Sequence, residues 1–400
     1  MRAAGAPVTV SPADLAEVRA AMTDTTGALA FAGTGTKRQW GSPGVPAEVV
    51  VTTGALDQLV DHSAGDMIAV VQPGLPLAVL QAALAAHGQR LAIDPPAQGE
   101  GATLGGTFAA DDAGPLRHRF GTLRDLAIGV TAVLADGTVA HAGGRVVKNV
   151  AGFDLGKLLC GSLGTLAFVA ELVVRLHPLP EAIRTVRVPA DTETGTRLAL
   201  AVAASPVVAS AVDWQSGASG MLSVRLEGRP AGVAAQADAL RTIIAATAGR
   251  EVAGRAQTLD GSDTAALAMA HAGVEGETVA RAATLPDDLA AAADALARAA
   301  ADQRVEAALA SHTGVGLHTA RLRGGDAAGH AAVVRRWRAA VVARGGSVVL
   351  RRRVPGVDGL VDAWFDDPAF APSALALMRR VKAQLDPDGR CAPGSFVGGI

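Results

Sequence analysis

The chain has 400 residues, a formal net charge of −2 and no tyrosine among its 3% of aromatic residues. A chain of this length exceeds what one hydrophobic core usually supports, so we expect two domains. A near-neutral surface with few aromatic rings excludes the basic, base-stacking face that nucleic acid requires. The two cysteines, Cys160 and Cys391, are too few for a disulfide framework and favour a reducing compartment. We expect a cytoplasmic protein, because residues 1–7 lack the apolar core of a signal peptide and no apolar run is long enough to span a bilayer.

The first 180 residues alternate short apolar runs with glycine-rich turns, which predicts short strands joined by tight loops. Ser11 is expected to cap a helix over residues 11–22, with Pro12 at its first position. A second helix is predicted over residues 76–86. A pair of prolines at 178 and 180 then marks a domain boundary. Strands are predicted over residues 28–32, 49–52, 67–71, 126–134, 138–141 and 166–177.

Beyond this boundary, predicted strands alternate with long alanine-rich helices. Strands that have helices on one side predict an antiparallel sheet and the α+β class. The predicted domains are residues 1–180, residues 181–365, and a C-terminal segment over 366–400 that returns to the first domain. Strands are predicted over residues 208–214, 221–227, 316–322 and 347–353, and helices over 231–247, 286–309, 327–344 and 372–385.

Three glycine-rich segments follow predicted strands and are the main indications of a ligand site. The first is Gly33–Lys37, whose successive N–H groups and small side chains suit a diphosphate. The second runs from Pro95 to Thr107 and the third from Gly144 to Leu166. Each segment alone is better explained as an ordinary turn. Three of them at strand ends within 180 residues favour one extended ligand threaded between them.

The same segments, in this order and spacing, resemble the FAD-binding oxidases of the vanillyl-alcohol-oxidase and p-cresol-methylhydroxylase (PCMH) type, most of all the smaller FAD-binding subunits of glycolate oxidases. The resemblance implies a PCMH-type domain of two α+β subdomains that hold FAD, followed by an α+β, ferredoxin-like cap. It assigns Gly33–Lys37 to the pyrophosphate and Lys148–Leu166 to the flavin. The cofactor-binding residues that it implies are Gly33, Thr34, Gly35, Thr36, Lys37, Pro73, Gly74, Thr103, Leu104, Gly105, Gly106, Thr107, Gly121, Asp125, Lys148, Asn149, Gly152, Phe153, Asp154, Gly161, Ser162, Gly164, Thr165 and Leu166.

Two departures from the family's pattern bear on the cofactor and on the C-terminal tail. No histidine or cysteine lies in or near the pyrophosphate loop, where some relatives tether the flavin, so we expect non-covalent FAD. The tail from Leu385 to Phe396 is similar to the family's closing Asp-Pro-x-Gly-x-x-Asn-Pro-Gly-Arg. Ala392 replaces its asparagine and Ser395 its arginine, which leaves any anion contact from this tail open.

Catalytic residues are less evident than the cofactor site. The segment His312–His318 resembles the metal-binding His-x-Gly-Asp-Gly-Asn-x-His of the larger hydroxy-acid dehydrogenases, but it is one residue shorter and has lost the polar residues between the histidines. We therefore predict no metal, and two packed or surface histidines, although a spacing of six along one strand would place both on one face. Arg351 and Arg353 are expected to share one face of the last strand, either solvated or gripping a substrate carboxylate. These four residues are the weak catalytic candidates.

The resemblance implies an FAD-binding subunit of a 2-hydroxy-acid (glycolate-type) oxidase or dehydrogenase, which acts on CH–OH groups and passes electrons through flavin to a partner. The expected partners are a larger FAD-binding catalytic subunit and an iron–sulfur subunit, through which the chain would lie at the inner membrane. One alternative is a non-catalytic FAD-holding electron-transfer or structural subunit. Another is a stand-alone FAD oxidase of a different small alcohol.

Overall fold

The computed structural model describes residues 6–96, 98–146, 152–261, 267, 270–365 and 372–400. The chain forms two compact units. Unit 1 comprises Met1–Ala113, Gly121–Leu179 and Asp367–Ile400, and unit 2 comprises Gly114–Phe120 and Pro180–Asp366. The chain therefore leaves unit 1 twice and returns to it twice. None of the described helices combines the length and the apolar character needed to cross a membrane.

Strands and helices alternate along the described chain. The strands are β1 (Val8–Val10), β2 (Leu29–Ala32), β3 (Val49–Thr52), β4 (Leu59–Ser63), β5 (Ile68–Val71), β6 (Gln89–Arg90), β7 (Ala127–Val133), β8 (Val139–Gly143), β9 (Phe168–Arg175), β10 (His177–Pro178), β11 (Ala182–Pro189), β12 (Ala209–Gln215), β13 (Met221–Gly228), β14 (Gln257–Asp260), β15 (Thr278–Ala283), β16 (Glu306–His312), β17 (Leu317–Arg323) and β18 (Ser347–Arg352). The helices are α1 (Leu15–Thr23), α2 (Leu77–Ala85), α3 (Leu104–Ala110), α4 (Arg117–Phe120), α5 (Leu123–Leu126), α6 (Leu155–Leu159), α7 (Thr192–Ala203), α8 (Pro230–Ala248), α9 (Arg250–Gly254), α10 (Leu289–Gln303), α11 (Ala327–Val342) and α12 (Pro372–Leu385).

Unit 1 contains a parallel sheet of order β1-β3-β2 and an antiparallel sheet of order β4-β5-β9-β7-β8. Leu77, Leu80 and Leu84 lie three or four residues apart on α2, so they share one helix face and are fully buried against the five-stranded sheet. Burial of each leucine contributes about 2 kcal/mol. This core fixes the strand ends at which the glycine-rich segments begin.

The first helix begins at Leu15, not at residue 11 as predicted. Asp14 is its N-cap, because its carboxylate accepts a hydrogen bond of 2.8 Å from the Glu17 N–H. The Ser11 hydroxyl instead lies 2.8 Å from that of Thr52. The prediction of Ser11 as the N-cap and Pro12 as the first helical residue was therefore wrong, because the Asp14 carboxylate caps a helix that begins at Leu15.

Unit 2 is dominated by one antiparallel sheet of order β14-β11-β13-β12-β16-β17-β15-β18. Its apolar side chains form one core with those of α7, α8, α10 and α11. Trp337 of α11 is fully buried there, and its indole N–H donates a 2.9 Å hydrogen bond to the Ala292 carbonyl. Because side chains alternate along a strand, the residues between these core positions face the other side of the sheet. That opposite side is polar.

The helix predicted over residues 286–309 ends earlier, at Gln303. Arg304 adopts a left-handed backbone with φ 54°, and its N–H bonds back to Ala300 and Ala301 carbonyls, which closes the helix. The residues that follow form β16. The alanine-rich composition led to a predicted helix that was too long. Its last residues belong to β16, which forms because it pairs with neighbouring strands.

Candidate functional site in unit 1 and a buried polar face in unit 2

The first two glycine-rich segments meet in unit 1. A Cβ on Gly33 would lie 2.6 Å from the Thr103 hydroxyl oxygen, so only glycine allows this approach. The Thr34 hydroxyl donates a 2.9 Å hydrogen bond to the Gly101 carbonyl. Lys37 lies 3.6 Å from the Asp112 carboxylate, and both side chains are buried. The loop at Gly33–Lys37 is thus fixed against the segment around Thr103.

The turn at Pro73–Gly74 joins the same group through the start of α3. Thr103 caps this helix by accepting a hydrogen bond of 3.2 Å from the Gly106 N–H. The Gly105 N–H donates a 2.8 Å hydrogen bond to the Pro73 carbonyl, and a Cβ on Gly105 would lie 2.5 Å from that of Pro73. The glycine here permits a close backbone approach that alanine would block.

The segment Gly161–Leu166 lies at the other end of α3. The Gly161 N–H donates to the Phe108 carbonyl at 3.0 Å, and the Leu163 N–H donates to the Ala109 carbonyl at 2.8 Å. From the C-terminal helix α12, the Lys382 ammonium donates a 2.6 Å hydrogen bond to the Thr165 carbonyl. Four of the predicted segments are therefore brought together by direct contacts within unit 1.

A separate cleft in unit 1 is lined by Asp125 and by Gly152–Asp154, together with Arg124, Lys157 and Arg175. Asp125 also closes a capping box on α5, since its carboxylate accepts a 3.0 Å hydrogen bond from the Thr122 N–H. Gly121, just before it, has φ +76° and no room for a Cβ beside Asp125. Phe153 is 91% exposed, so no protein core accounts for its position. Lys148 and Asn149 lie outside the described residues.

The residues present fit a large anionic cofactor such as FAD. A Cβ on Gly99 or Gly152 would meet no atom of the described residues within 4 Å. The buried hydroxyls of Thr53 and Thr107 have no hydrogen-bond partner among the described residues. Backbone N–H groups, hydroxyls and Lys37 are the donors that a diphosphate requires.

The structure separates the two histidines of the His312–His318 segment. A single 3₁₀ turn, Thr313–Val315, intervenes, so His312 ends β16 and His318 lies near the start of β17. His318 is paired with Ser311, and its two ring nitrogens lie 2.9 Å from the Ser311 hydroxyl and 2.8 Å from that of Thr284. Neighbouring residues of a strand face opposite sides, so His318 and His312 point apart. The two histidines would share one face only on a single strand, and the segment is a hairpin. Both are buried, as expected of two packed histidines.

His312 belongs to a buried cluster on the polar side of the unit 2 sheet. Its Nδ1 lies 2.5 Å from Asp213 Oδ1, and its ring stacks on that of His271 at a centroid distance of 3.8 Å. The His271 Nδ1 lies 2.8 Å from the Thr319 hydroxyl. Burial raises the pKa of Asp213 to about 8, against the opposing effects of His118 and Arg225. Burial, reinforced by His312, Arg281, Arg351 and Arg321, holds the pKa of His271 well below its usual value.

The two predicted arginines play different parts. Arg351 lies close enough to His271 to affect its pKa, as do Arg281 and Arg321. Arg353 lies one residue beyond the end of β18 and forms an ion pair with Asp358. Of the two predicted arginines, Arg351 therefore belongs with Arg281 and Arg321 around the histidine cluster, and Arg353 does not.

Sequence reasoning missed Asp213, His271, Arg225 and Arg281. The sequences of β12 and β13 did carry a signal for two of these residues. Asp213 lies between Val212 and Trp214, and Arg225 lies between Val224 and Leu226. A single charged residue inside an apolar strand marks the side of the sheet opposite the core. His271 has no such pattern, because it reaches the sheet through tertiary packing.

Comparison with known families supports the assignment of unit 1. The family model for the FAD binding domain matches residues 6–143, and that for the C-terminal domain of FAD linked oxidases matches residues 359–396. These matches confirm the resemblance to FAD-linked oxidases and confirm FAD as the cofactor. They do not test which residues bind it, so the residues assigned to FAD stay predictions.

Similar proteins cover only part of the chain. It is 35% identical over 182 residues to glycolate oxidase subunit GlcE of Escherichia coli, which covers 44% of this chain and 50% of that protein. It is 34% identical over 150 residues to D-lactate dehydrogenase of Archaeoglobus fulgidus, which covers 37% and 33%. The chain thus spans half or less of the length of these relatives. A solved structure of alkyldihydroxyacetonephosphate synthase superimposes on 96% of this chain and 76% of its own, with TM-score 0.68 and 15% identity, which shows a common mixed helix-and-sheet fold.

Proposed function

We propose that the chain is an FAD-binding subunit of a 2-hydroxy-acid (glycolate-type) oxidase or dehydrogenase. Its residues 6–143 match the FAD binding domain, and residues 359–396 match part of the C-terminal domain of FAD linked oxidases. The observation that carries this proposal is the convergence, within unit 1, of four strand-end segments assigned to FAD by resemblance. Relatives named glycolate oxidase subunit and D-lactate dehydrogenase support 2-hydroxy acids as the substrate class. When bound, the flavin accepts the hydride equivalent from the carbon that carries the hydroxyl.

In this proposal, unit 1 holds and orients the cofactor. Gly33–Lys37 offers backbone N–H groups to the diphosphate, and Asp112 positions the Lys37 ammonium beside them. The segment assigned to the flavin is fixed at the end of α3 and by Lys382. No histidine or cysteine occurs in the loop, so FAD is held without a covalent bond.

In the same proposal, arginine side chains on the polar side of the unit 2 sheet bind the carboxylate of the substrate. Guanidinium groups grip a carboxylate with two parallel hydrogen bonds, and Arg281 and Arg351 are buried or half-buried there. Arg351→Gln is expected to raise KM for the hydroxy acid about tenfold or more at unchanged flavin content. Arg323→Gln, which changes an exposed arginine of β17, is the matched control. An unchanged KM in Arg351→Gln would remove the carboxylate role.

We further propose that the oxidation is shared with a larger FAD-binding subunit and an iron–sulfur subunit. The His312–His318 segment does not form a histidine pair, and two cysteines are too few for a cluster held by four thiolates. The alternative is that the chain only holds FAD and transfers electrons, while the substrate is bound and oxidised on the larger subunit. The finer fold prediction, two FAD-binding subdomains with a cap over residues 181–365 and a returning segment at 366–400, is part of this proposal.

Anaerobic reduction tests the proposal. The purified chain, alone and co-expressed with the two partner subunits, is mixed with glycolate or D-lactate, and loss of the visible flavin absorbance is followed. Bleaching in the complex but not in the isolated chain supports a shared oxidation. Rapid bleaching of the isolated chain supports a self-sufficient dehydrogenase. A chain that carries no flavin and takes up no added FAD contradicts the whole proposal.

A further inference from the structure

The Asp213–His271–His312 cluster has the composition and spacing of a metal site. One ligand atom of each side chain lies within 4.8 Å of the others. All three residues are at most 3% exposed, so water does not satisfy them from bulk solvent. Asp213 Oδ2 and His271 Nε2 have no hydrogen-bond partner among the described residues. A buried carboxylate oxygen and a buried imidazole nitrogen left in this way need another partner.

Each residue of the cluster can offer one ligand atom. The Thr319 hydroxyl lies 2.8 Å from the Nδ1 of His271, so it fixes this ring and leaves the Nε2 to bind an ion. A hydrogen-bond partner at the second ring nitrogen is the usual way in which proteins orient a metal-binding histidine. The Nδ1 of His312 lies 2.5 Å from Asp213 Oδ1, and these two atoms would bind the ion in place of the hydrogen bond between them.

We propose that Asp213, His271 and His312 form a site for one divalent transition-metal ion of the zinc class. Two imidazole nitrogens and one carboxylate oxygen suit Zn²⁺ or Co²⁺ and are too few oxygens for Ca²⁺ or Mg²⁺. Three protein ligands leave a fourth position for water or an anion. Only His312 belongs to the histidine segment considered from the sequence; the other two ligands come from β12 and from the segment before β15.

Two of the arginines around the cluster are paired with carboxylates, Arg225 with Glu227 and Arg321 with Glu277. The guanidinium groups of Arg281 and Arg351 favour an anion as the fourth ligand.

Metal content and cobalt spectroscopy test the site. The chain is expressed in minimal medium with added Zn²⁺ or Co²⁺, so that a buried site is loaded during folding, and the metal per chain is measured by mass spectrometry. We expect one ion per chain and, for Co²⁺, visible d–d absorption. His271→Ala and the nearly isosteric Asp213→Asn should each weaken binding by about 100-fold or more. His318→Gln is the matched control, because it removes the other histidine of the segment.

Thermal unfolding and flavin content show that each variant is folded, and neither readout depends on hydroxy-acid turnover. Metal binding that is equal in wild type, His271→Ala and Asp213→Asn would overturn the site. Loss of metal in His318→Gln would also overturn it, in favour of the histidine pair. A wild-type chain that contains no stoichiometric metal and shows no cobalt spectrum would refute the proposal, even if FAD is fully bound.

Discussion

Gly35 and Gly164 show how one β-carbon would affect the proposed cofactor site. Both have left-handed backbones, with φ +83° and +76°, and a Cβ on Gly164 would lie 2.9 Å from the Phe31 ring. Valine rarely adopts such a φ, so either substitution would distort the backbone at the proposed site, and at Gly164 the added side chain would also collide with Phe31. We expect Gly35→Val and Gly164→Val to lose most bound flavin, as measured by the ratio of visible to ultraviolet absorbance after gel filtration.

Gly88 provides the control for backbone strain. It has φ +68°, and a Cβ there would meet no atom within 4 Å. Gly88→Val therefore introduces the same strain away from the proposed site and is expected to keep its flavin. Full flavin occupancy in both site variants would show that the cofactor has been placed wrongly.

His318 gives a prediction on acid stability. Burial lowers its pKa from 6.5 to about 4, against a small opposing effect of Asp288. The unfolded chain therefore binds a proton between these values that the folded chain does not, so the free energy of unfolding falls as the pH drops from 6.5 to about 4. The total loss is about 3 kcal/mol. We expect His318→Gln to be less stable than wild type at neutral pH. The difference between their free energies of unfolding should become smaller as the pH is lowered.

Urea unfolding of both proteins at several pH values measures this gap. The glutamine keeps hydrogen-bonding capacity toward Ser311 and Thr284 but does not titrate. A gap that stays constant from neutral to acid pH would mean that His318 titrates alike in the folded and unfolded chain.

At the scale of elements, the half-buried ammonium of Lys382 connects α12 to the segment Gly161–Leu166, which is assigned to the flavin by resemblance. The Lys382 ammonium lies 2.6 Å from the Thr165 carbonyl, 2.8 Å from the Cys391 carbonyl and 2.6 Å from the Asp386 carboxylate. Lys382→Met removes all three contacts and leaves the fully buried Asp386 carboxylate without its ion-pair partner, although the carboxylate still accepts hydrogen bonds from the Arg390 and Cys391 N–H groups. We expect a loss of about 3–5 kcal/mol in stability and weaker FAD retention, measured by thermal unfolding and flavin release.

Arg380 lies on the same helix and is exposed, so Arg380→Met is the matched control. It should leave both stability and flavin content unchanged. If Lys382→Met behaves like this control, α12 does not position the flavin segment.

Most elements of unit 1 follow from local signals, and those of unit 2 follow less well. The hairpin of β7 and β8 follows from Asp136–Gly137, and α3 from Thr103 with its following apolar residues. The first four residues of β16, Glu306–Leu309, were predicted as the end of a helix, because alanine favours helix and the pairing with β12 and β17 is not visible in the local sequence. Glycine spacing and the family resemblance together indicated the segments assigned to the cofactor, and their contacts with FAD stay predictions. The Asp213–His271 contact could not, because the two residues are far apart in sequence and only the sheet brings them together.

For the whole molecule, we expect a yellow protein whose flavin is released by acid precipitation. The residues at Gly33–Lys37 include no group that could form a covalent flavin bond. The absorbance of supernatant and pellet after precipitation measures the release. Flavin that remains in the pellet would contradict only the non-covalent attachment, and a colourless chain would contradict FAD binding itself.

Unit 2 is built from two separate stretches of the chain, because the short segment Gly114–Phe120, an excursion from unit 1, belongs to it together with Pro180–Asp366. His118 from this excursion packs so closely on Gly314 that a Cβ there would lie 2.3 Å from its ring, and its charge acts on Asp213. A fragment that begins at Pro180 would therefore lack His118, which packs against Gly314 inside unit 2. Genetic exchange of unit 2 between relatives must then carry two separate stretches of the gene, and recombination at a single junction would produce a mismatched interior.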